Sequence, residues 1–348
     1  MESGTPGERD SGGAHRSATR RPALYAAVTA VALLIGAVAV GTHVRPQDRP
    51  RNAASRATTT PATASPSATA SGGGTRGGGG MERVGRQKTQ APASSSPASS
   101  SPPPSAAALT AALTDALDAV ADGADGQFSA AVLDTGSAAG AVYGDGAYVT
   151  ASIVKVDILA ALLLQAQDAG RQLTAQERSY ATVMIQKSDN GAATALWQEI
   201  GGAAGLDAAN KRLGLTETHG GQSGRWGLTQ TTAADQLTLL RAVFATGTEG
   251  GKAALSEPSR AYIQQLMGQI ADDQTWGVSA AADDAAGTRL KNGWLPRSAT
   301  GLWVVNSIGR VTAQGRTYLV AVLSNGHKDM DTGVALVESA ARAAVGVF

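Results

Sequence analysis

The amino-acid sequence predicts an α+β domain in which strands from both chain ends form one antiparallel sheet. Near the start of the domain, Phe128–Leu133 and Ala141–Tyr143 are short apolar strands separated by a polar turn. Near the C terminus, Leu302–Val311 and Thr317–Leu323 are β-branched and aromatic, and they meet at Gln314-Gly315. The segments between these strands have helical patterns. We therefore expect helices packed on the sheet and a trimmed helical lobe inserted in the middle.

Apolar periodicity locates the helices. The first is predicted at Ala106–Ala121, where four apolar residues recur at spacings of three and four: Leu109, Leu113, Leu117 and Val120. Val154–Gln167 is apolar on nearly every side, which favours a buried central helix. Thr174 with Glu177 forms a capping box that opens a third helix. Further helices are predicted at Ala192–Ile200, Ala203–Leu213, Ala233–Phe244, Ser256–Ile270 and Thr332–Val345.

Composition separates a folded domain at 106–348 from the rest of the chain. Residues 45–105 consist mainly of Ser, Thr, Pro, Ala and Gly, with almost no large apolar side chains. Such a segment buries too little surface to offset its ordering entropy, so we expect a disordered stalk. Residues 106–348 hold all five tryptophans and the periodic segments, which suits one sizeable core.

The N-terminal part carries an export segment. Ala23–Val44 is an uncharged, mostly apolar run preceded by several arginines, and it is long enough to span a bilayer as a helix. We expect residues 1–22 to be a cytoplasmic tail and 23–44 a signal-anchor that holds the domain outside a bacterial cell membrane. Ala37-Val38-Ala39 resembles a signal-peptidase site, so secretion after cleavage is the alternative.

Charge and composition exclude several function classes. Residues 106–348 carry 17 Lys and Arg against 23 Asp and Glu, and an acidic domain without basic clusters argues against a nucleic-acid partner. The chain has no cysteine, and its four histidines show no ligand spacing. We therefore expect no metal site, no cofactor and no Ser-His-Asp triad. The sequence leaves the oligomeric state open.

Ser152 and Lys155 form the first candidate catalytic pair. Ser152 lies where the first hairpin ends and the buried helix begins, and Lys155 follows three residues later on the same helix face. Burial lowers the pKa of a lysine, and the neutral amine can then take the serine proton. The alternative is a helix-capping serine followed by an incidental lysine. A lysine within so apolar a helix favours the catalytic interpretation.

Two further tripeptides carry polar groups of the same kind. In Ser188-Asp189-Asn190, Ser188 is expected to relay a proton between Lys155 and the leaving group, and Asn190 to donate its amide to the substrate. Since all three residues also favour helix caps, a capping role for Asp189 is compatible with this interpretation. Lys291-Asn292-Gly293 lies just before the C-terminal hairpin, where a strand edge could line a cleft. There Lys291 would supply positive charge for a substrate carboxylate, and Gly293 would permit close approach of the ligand to the backbone. The alternative for this tripeptide is a surface turn.

Together and in this order, the three motifs resemble the signature of the class A β-lactamase and penicillin-binding-protein superfamily. Flanking segments are similar too: LGLTET at 213–218, TTAAD at 231–235 and WVVN at 303–306. The resemblance implies that Ser152 is acylated, that the backbone N–H groups of Ser152 and Trp294 form an oxyanion hole, and that Lys291 receives a carboxylate. The expected catalytic residues are Ser152, Lys155 and Ser188. The expected substrate-binding residues are Asn190, Lys291, Asn292, Gly293 and Trp294.

Three departures from the family pattern refine the expected activity. Asn292 replaces a Thr or Ser, the interval from Ser152 to Ser188 is short, and the Ω-loop from His219 to Gln230 contains no Glu or Asp. Without that carboxylate, acylation is plausible but fast hydrolysis of the acyl-enzyme is not. We expect a serine hydrolase acylated by a β-lactam or a related amide or ester. The alternatives are a D-Ala-D-Ala carboxypeptidase-type penicillin-binding protein and a sensor, acylated once, of β-lactams or cell-wall fragments.

Overall fold

The computed structural model describes residues 105–244 and 253–348. The predicted tail at 1–22, the apolar segment at 23–44 and nearly all of the predicted stalk lie outside the described residues. Within the described ranges, no helix combines the length and apolar character needed to cross a membrane.

The described chain contains one large and one small antiparallel sheet. The strands are β1 (Gln127–Asp134), β2 (Gly140–Tyr143), β3 (Tyr148–Val149), β4 (Gln230–Thr231), β5 (Arg289–Pro296), β6 (Trp303–Ala313) and β7 (Arg316–His327). The large sheet has the order β2-β1-β7-β6-β5, and β3 pairs with β4. Since β1 pairs along its whole length with β7, both chain ends meet in the middle of one sheet. This confirms the predicted α+β plan.

Within the part of the chain that the structure describes, eight helices accompany the sheet. They are α1 (Ala106–Ala121), α2 (Val154–Asp168), α3 (Ala175–Gln186), α4 (Asn190–Glu199), α5 (Gly202–Leu213), α6 (Ala233–Phe244), α7 (Glu257–Met267) and α8 (Met330–Gly346). The predicted capping box at the start of α3 is confirmed: Glu177 N–H donates to Thr174 Oγ1, and Thr174 N–H donates to Glu177 Oε2. Asp189 caps α4, because Ala192 N–H donates to its Oδ1.

The sheet separates two apolar layers. Alternate residues of a strand face opposite sides. On β7, Tyr318, Val320 and Val322 pack with α1 and α8, whereas Leu319, Ala321 and Leu323 pack with the helical lobe built around α2. Because α2 is buried on nearly all sides, its N-terminal end is held firmly at the junction between the lobe and the edge strand β5.

Candidate active site

Ser152 occupies a short 3-10 turn, Ala151–Ile153, that leads directly into α2. Ala151, the residue before it, has φ of 48°, in the left-handed region that a non-glycine residue rarely adopts. Residues held in that region cluster at functional sites. Ser152 is half-buried and makes no capping hydrogen bond to α2. The interpretation of Ser152 as a capping serine is therefore wrong.

Lys155 is fully buried one helical turn after Ser152. Its Nζ donates to Ser188 O at 2.6 Å, to Ser188 Oγ at 3.0 Å and to Asn190 Oδ1 at 2.8 Å. These contacts use all three N–H groups of an ammonium. Among the hydrogen bonds of residues 105–244 and 253–348, none joins Lys155 Nζ to Ser152 Oγ. The protonated lysine is thus directed to the start of α4 rather than to the serine.

Ser188 lies between two lysines. Its Oγ accepts from Lys155 Nζ at 3.0 Å and from Lys291 Nζ at 3.1 Å. Ser188 has φ of 54°, so it too adopts the left-handed region. Lys155, Ser188 and Lys291 come one from each of the three predicted motifs, and they meet at one point, as the sequence predicts. The interpretation of 291–293 as a surface turn is wrong, because Lys291 and Asn292 are buried within β5.

Burial controls the protonation of both lysines. It lowers the pKa of Lys155 to about 7, and the nearby Asp189 carboxylate opposes this effect only in part. Burial also lowers the pKa of Lys291 well below its ordinary value, and the positive charge of Lys155 lowers it further. Two buried cations that share one hydroxyl repel each other. A neutral amine in this cluster is therefore accessible near neutral pH.

Gly293 brings β5 against residues 150–153, which we call the serine turn. A Cβ atom at this position would lie 2.7 Å from Ser152 N, Ile153 N and Thr150 O. Lys291 and Gly293 therefore face the turn on the same side of the strand. Asn292 faces the opposite side and is 1% exposed, with its Nδ2 donating to Gln274 O and Trp276 O, each at 2.9 Å.

The expected contact of the Asn292 side chain with substrate is thus not present in this arrangement. Strand alternation is the physical reason, because neighbours on a strand point to opposite faces. Asn292 instead holds the carbonyl of Trp276, whose ring packs edge-on against Trp294 at a centroid distance of 5.6 Å. Asn292 thus contacts Trp294 only indirectly, through Trp276, and Trp294 belongs to the wall of the cleft beside Ser152.

Ser152 opens into a cleft of about 320 Å³. The lining residues are Ala151, Ser152, Asn190, Arg225, Trp226, Gly227, Leu228, Trp294 and Leu295. Two tryptophans and two leucines make the walls apolar, and Lys155 Nζ lies 5.0 Å from the centroid of the Trp226 ring. This composition, apolar walls with a few convergent polar groups, is typical of small-molecule sites. A larger groove between α3 and α4 is lined by three charged residues: Arg171 and Glu177 pair with each other, and Glu199 is exposed.

One wall of the cleft belongs to residues His219–Gln230, which we call the cleft loop. The sequence singles out this loop by its lack of Glu and Asp, but its pattern does not indicate that Arg225 or Trp226 lies in the site. The nine lining residues contain no Asp or Glu. Glu217, just before the loop, is exposed and is not among them. Among the described residues, no group of three or more His, Asp or Glu side chains is placed to hold a metal ion.

Comparisons with known proteins agree with this geometry. The sequence model of the family described as "Beta-lactamase enzyme family" matches residues 111–348, so the chain belongs to that family. This confirms the resemblance on which the sequence analysis relied, and the family and fold are those of serine-hydrolase-type enzymes.

Solved structures of low identity show the same fold. TLA-1 extended-spectrum β-lactamase is 15% identical, with a TM-score of 0.59, and the match covers 68% of this chain and 98% of that one. A class A β-lactamase from Bacteroides cellulosilyticus is 16% identical, with a TM-score of 0.57 over 69% and 98%. An ancestral (GNCA) class A β-lactamase is 22% identical, with a TM-score of 0.54 over 68% and 100%. The predicted β-lactamase-like fold class is therefore confirmed.

A curated relative matches a shorter stretch. The Mycobacterium tuberculosis protein named "Putative lipoprotein LppW" is 36% identical over 86 residues. The match covers 25% of this chain and 27% of that relative, so it spans about a quarter of each.

Proposed function

We propose that Ser152 is acylated by a β-lactam or a related amide or ester, and that the protein is a serine hydrolase of class A β-lactamase fold. One observation carries the proposal. A lysine that is fully buried, with its pKa lowered to about 7, lies one helical turn after a half-buried serine that opens into an apolar cleft. A lysine with that pKa is an effective general base near neutral pH.

The hydrogen bonds suggest how the base becomes available. When Lys155 loses a proton, its amine keeps two N–H donors for its contacts and gains a lone pair for the Ser152 proton. Ser152 Oγ then attacks the substrate carbonyl, and the backbone N–H groups of Ser152 and Trp294 are proposed to stabilise the oxyanion. Lys155 returns the proton through Ser188 Oγ to the departing nitrogen or oxygen. The C–N or C–O bond breaks, and the acyl group stays on Ser152.

Deacylation is proposed to be slow. The cleft lining includes no carboxylate that would activate a water beside the Ser152 ester. Loss of a general base costs roughly 10² to 10⁴ in rate. This feature favours the second candidate function, a sensor of β-lactams or cell-wall fragments that is acylated once. A D-Ala-D-Ala carboxypeptidase-type penicillin-binding protein is the further alternative, and it requires turnover.

The site is proposed to act outside the cytoplasm. The apolar segment 23–44 supports this location, and so does the similarity to a relative whose name describes a lipoprotein. A single-pass anchor at 23–44 would place the domain on the outer side of the membrane, where β-lactam or peptidoglycan-related small substrates occur.

Mass spectrometry tests both the acylation and its lifetime. The full-length chain is incubated with benzylpenicillin and followed over hours. We expect one adduct, located on Ser152, that persists for hours. The Ser152→Ala variant should show no adduct, whereas Ser95→Ala, a change in the predicted stalk, should behave as the wild type. An adduct of equal yield on the Ser152→Ala variant would exclude Ser152 as the nucleophile.

A further inference from the structure

Asp157 is a buried carboxyl group that the acylation mechanism does not use. It lies two residues after Lys155 on α2 and is fully buried. Its Oδ1 accepts a hydrogen bond from Gln236 Nε2 at 3.4 Å, but its Oδ2 has no hydrogen-bond partner. Gln236, on α6, is also fully buried, and its Oε1 likewise has no partner. Asp157 and Gln236 thus each keep one buried oxygen atom that has no hydrogen-bond partner.

One proton on Asp157 would give both of these buried oxygens a hydrogen-bond partner. If Asp157 Oδ2 carries a hydrogen, it can donate to Gln236 Oε1 while Oδ1 still accepts from Gln236 Nε2. The carboxyl and amide groups then form a closed pair with two hydrogen bonds, and no buried oxygen stays unsatisfied. The opposite orientation of the Gln236 amide is disfavoured, because it would place Oε1 against Thr231 Oγ1, whose hydrogen is already donated to Thr218 Oγ1. An ionised Asp157 would be a buried charge without a cation.

The groups around Asp157 favour the neutral acid. The pKa of Asp157 is raised to about 7, mainly by burial and to a smaller extent by the Asp235 carboxylate on α6, although the hydrogen bonds from Gln236 and from the backbone oppose the rise. Lys155, on the same helix, directs its Nζ to Ser188 and Asn190. Helices α3, α4, α5 and α7 pack against α2, and within the described residues they bring no charge that acts on this carboxyl.

Gln236 also belongs to a chain of hydrogen bonds that holds both ends of the cleft loop in place. Its Nε2 also donates to Thr231 Oγ1 at 3.0 Å, Thr231 Oγ1 lies 2.8 Å from Thr218 Oγ1, and Thr218 Oγ1 donates to Asp235 Oδ2 at 2.6 Å. Thr218 directly precedes the cleft loop and Thr231 directly follows it. The chain therefore ties both ends of the loop to α2, the helix that carries Lys155.

We propose that Asp157 is protonated in the folded protein and forms an acid–amide pair with Gln236 that positions the cleft loop against α2. Asp235, which accepts from Thr218 Oγ1 and from Glu217 N–H, is the carboxyl group at the other end of the same chain of hydrogen bonds. When Asp157 ionises, the pair loses the hydrogen bond donated by Oδ2, while Gln236 Nε2 keeps its contacts to Asp157 Oδ1 and Thr231 Oγ1. The buried negative charge then faces Gln236 Oε1 and Asp235, and this repulsion weakens the attachment of the cleft loop, which carries Trp226 over Lys155. The effect on acylation rests on the function proposed for Ser152, whereas the protonation of Asp157 does not.

Thermal unfolding of the full-length chain and its Asp157→Asn variant tests the pair. Asparagine keeps the shape of the neutral acid and both hydrogen bonds but cannot ionise. Because the folded-state pKa of Asp157 is raised, its contribution to stability is complete at low pH and is lost as pH rises towards about 7. The Tm of Asp157→Asn relative to wild type should therefore rise by at least about 4 °C between about pH 5 and about pH 8.

Asp235→Asn is the matched control, with the same chemical change at the opposite end of the chain. It should lower the Tm at both pH values, because it removes a charged acceptor of two hydrogen bonds. If Asp235→Asn shows the same pH-dependent gain as Asp157→Asn, the gain is a general charge effect and the assignment fails. A relative Tm of Asp157→Asn that is flat or falls with pH would also overturn it.

NMR of the wild-type chain gives a test that depends on no variant. The Asp157 carboxyl carbon should keep the chemical shift of a protonated acid at about pH 5 and titrate near the pKa of about 7. A carboxylate shift at about pH 5 would overturn the proposal.

The labelling rate of Ser152 by a fluorescent penicillin reports the link to the site. In the wild type it should rise as Lys155 loses its proton and then fall as Asp157 ionises, whereas Asp157→Asn should keep a plateau at high pH. If the labelling rate of Asp157→Asn also falls at high pH, Asp157 does not position the cleft loop. If neither protein is labelled at any pH, the function proposed for Ser152 fails, while the NMR and Tm results still decide the state of Asp157.

Discussion

Single residues at the serine turn act through their backbone as much as through their side chains. Ala151 and Ser188 both adopt left-handed φ angles, and Gly293 leaves room for the serine turn beside β5. These features fix where Ser152 Oγ and the two lysines lie relative to each other. Preorganisation of this kind costs local strain that the surrounding packing must offset.

Gly293→Ala adds only one methyl group, but it should strongly reduce acylation of Ser152. The added methyl carbon would lie 2.7 Å from three backbone atoms of the serine turn, which side-chain rotation cannot relieve. The turn must move away from β5, so we expect labelling of Ser152 by a fluorescent penicillin to fall by at least about 10²-fold. Gly287→Ala, where a Cβ atom would meet open space, is the control and should label at the wild-type rate. Equal labelling of both variants would show that the close approach is not needed for acylation.

The sequence predicted which residues meet at this site better than it predicted where their side chains point. Ser188 Oγ does join Lys155 and Lys291, as the order of the motifs indicated. The side-chain direction of Asn292 depends on strand register, and its two acceptors, Gln274 O and Trp276 O, lie in an irregular segment without periodicity. The absence of a hydrogen bond between Ser152 and Lys155 follows from competition for donors, which spacing alone does not reveal.

Elements with strong periodicity were predicted closely. Helix α1 begins and ends at the predicted residues, and α2 differs by one residue at its C-terminal end. Strands β3 and β4 have two residues each, too few to show alternation, and they went unpredicted although β4 anchors the cleft loop. Strand β5 was predicted only as a possible strand edge, because its polar centre, Lys291-Asn292-Gly293, has low strand propensity.

The cleft loop offers a position for the missing general base. Gly227 lines the cleft with Ser152, its φ is not in the left-handed region, and a Cβ atom there would meet nothing within 4 Å. Gly227→Glu should therefore add a carboxylate beside the cleft without a clash of the new Cβ atom. If slow deacylation results from the lack of such a group, hydrolysis of the acyl-enzyme should accelerate by roughly 10²-fold. Electrospray mass spectrometry of the decaying adduct measures this rate.

Gly287→Glu provides the control for the added charge. Gly287 is also sterically open, and it is not among the residues that line the cleft. The adduct on this variant should decay at the wild-type rate. If both variants accelerate decay equally, net charge rather than position is responsible. If neither does, the absence of a carboxylate in the cleft loop does not explain the persistence of the adduct.

At the scale of the whole molecule, the site depends on elements far from it in sequence. Strand β5 carries Lys291 and Gly293 at one edge of the sheet, and the sheet is completed by β1 from the other end of the domain. Helices α1 and α8 cover the face of the sheet opposite the helical lobe. The position of β5 against the serine turn therefore depends on the packing of both layers.

Truncation tests this dependence and the predicted start of the domain. Helix α1 contacts β2 and α8 through Leu109, Leu113 and Leu117, each at most 1% exposed. Burying one leucine contributes about 1.5–3 kcal/mol, so the three account for about 5–9 kcal/mol of the ~5–15 kcal/mol that stabilises a typical domain. A chain that begins at Ser105 should unfold in urea with the free energy of the full-length chain. A chain that begins at Gln127 should lose most of it.

The point variant Leu113→Ala checks the same contacts within an intact chain. It should lower the free energy of unfolding by about 2–5 kcal/mol, whereas Asp115→Ala, on the exposed side of α1, should change it by less than about 0.5 kcal/mol. Labelling of Ser152 should survive in the chain from Ser105, because the described site is built entirely from residues after it. Loss of labelling in that chain would show that residues 1–104 contribute to the site. Unchanged stability of the chain from Gln127 would show that α1 does not belong to the folded unit.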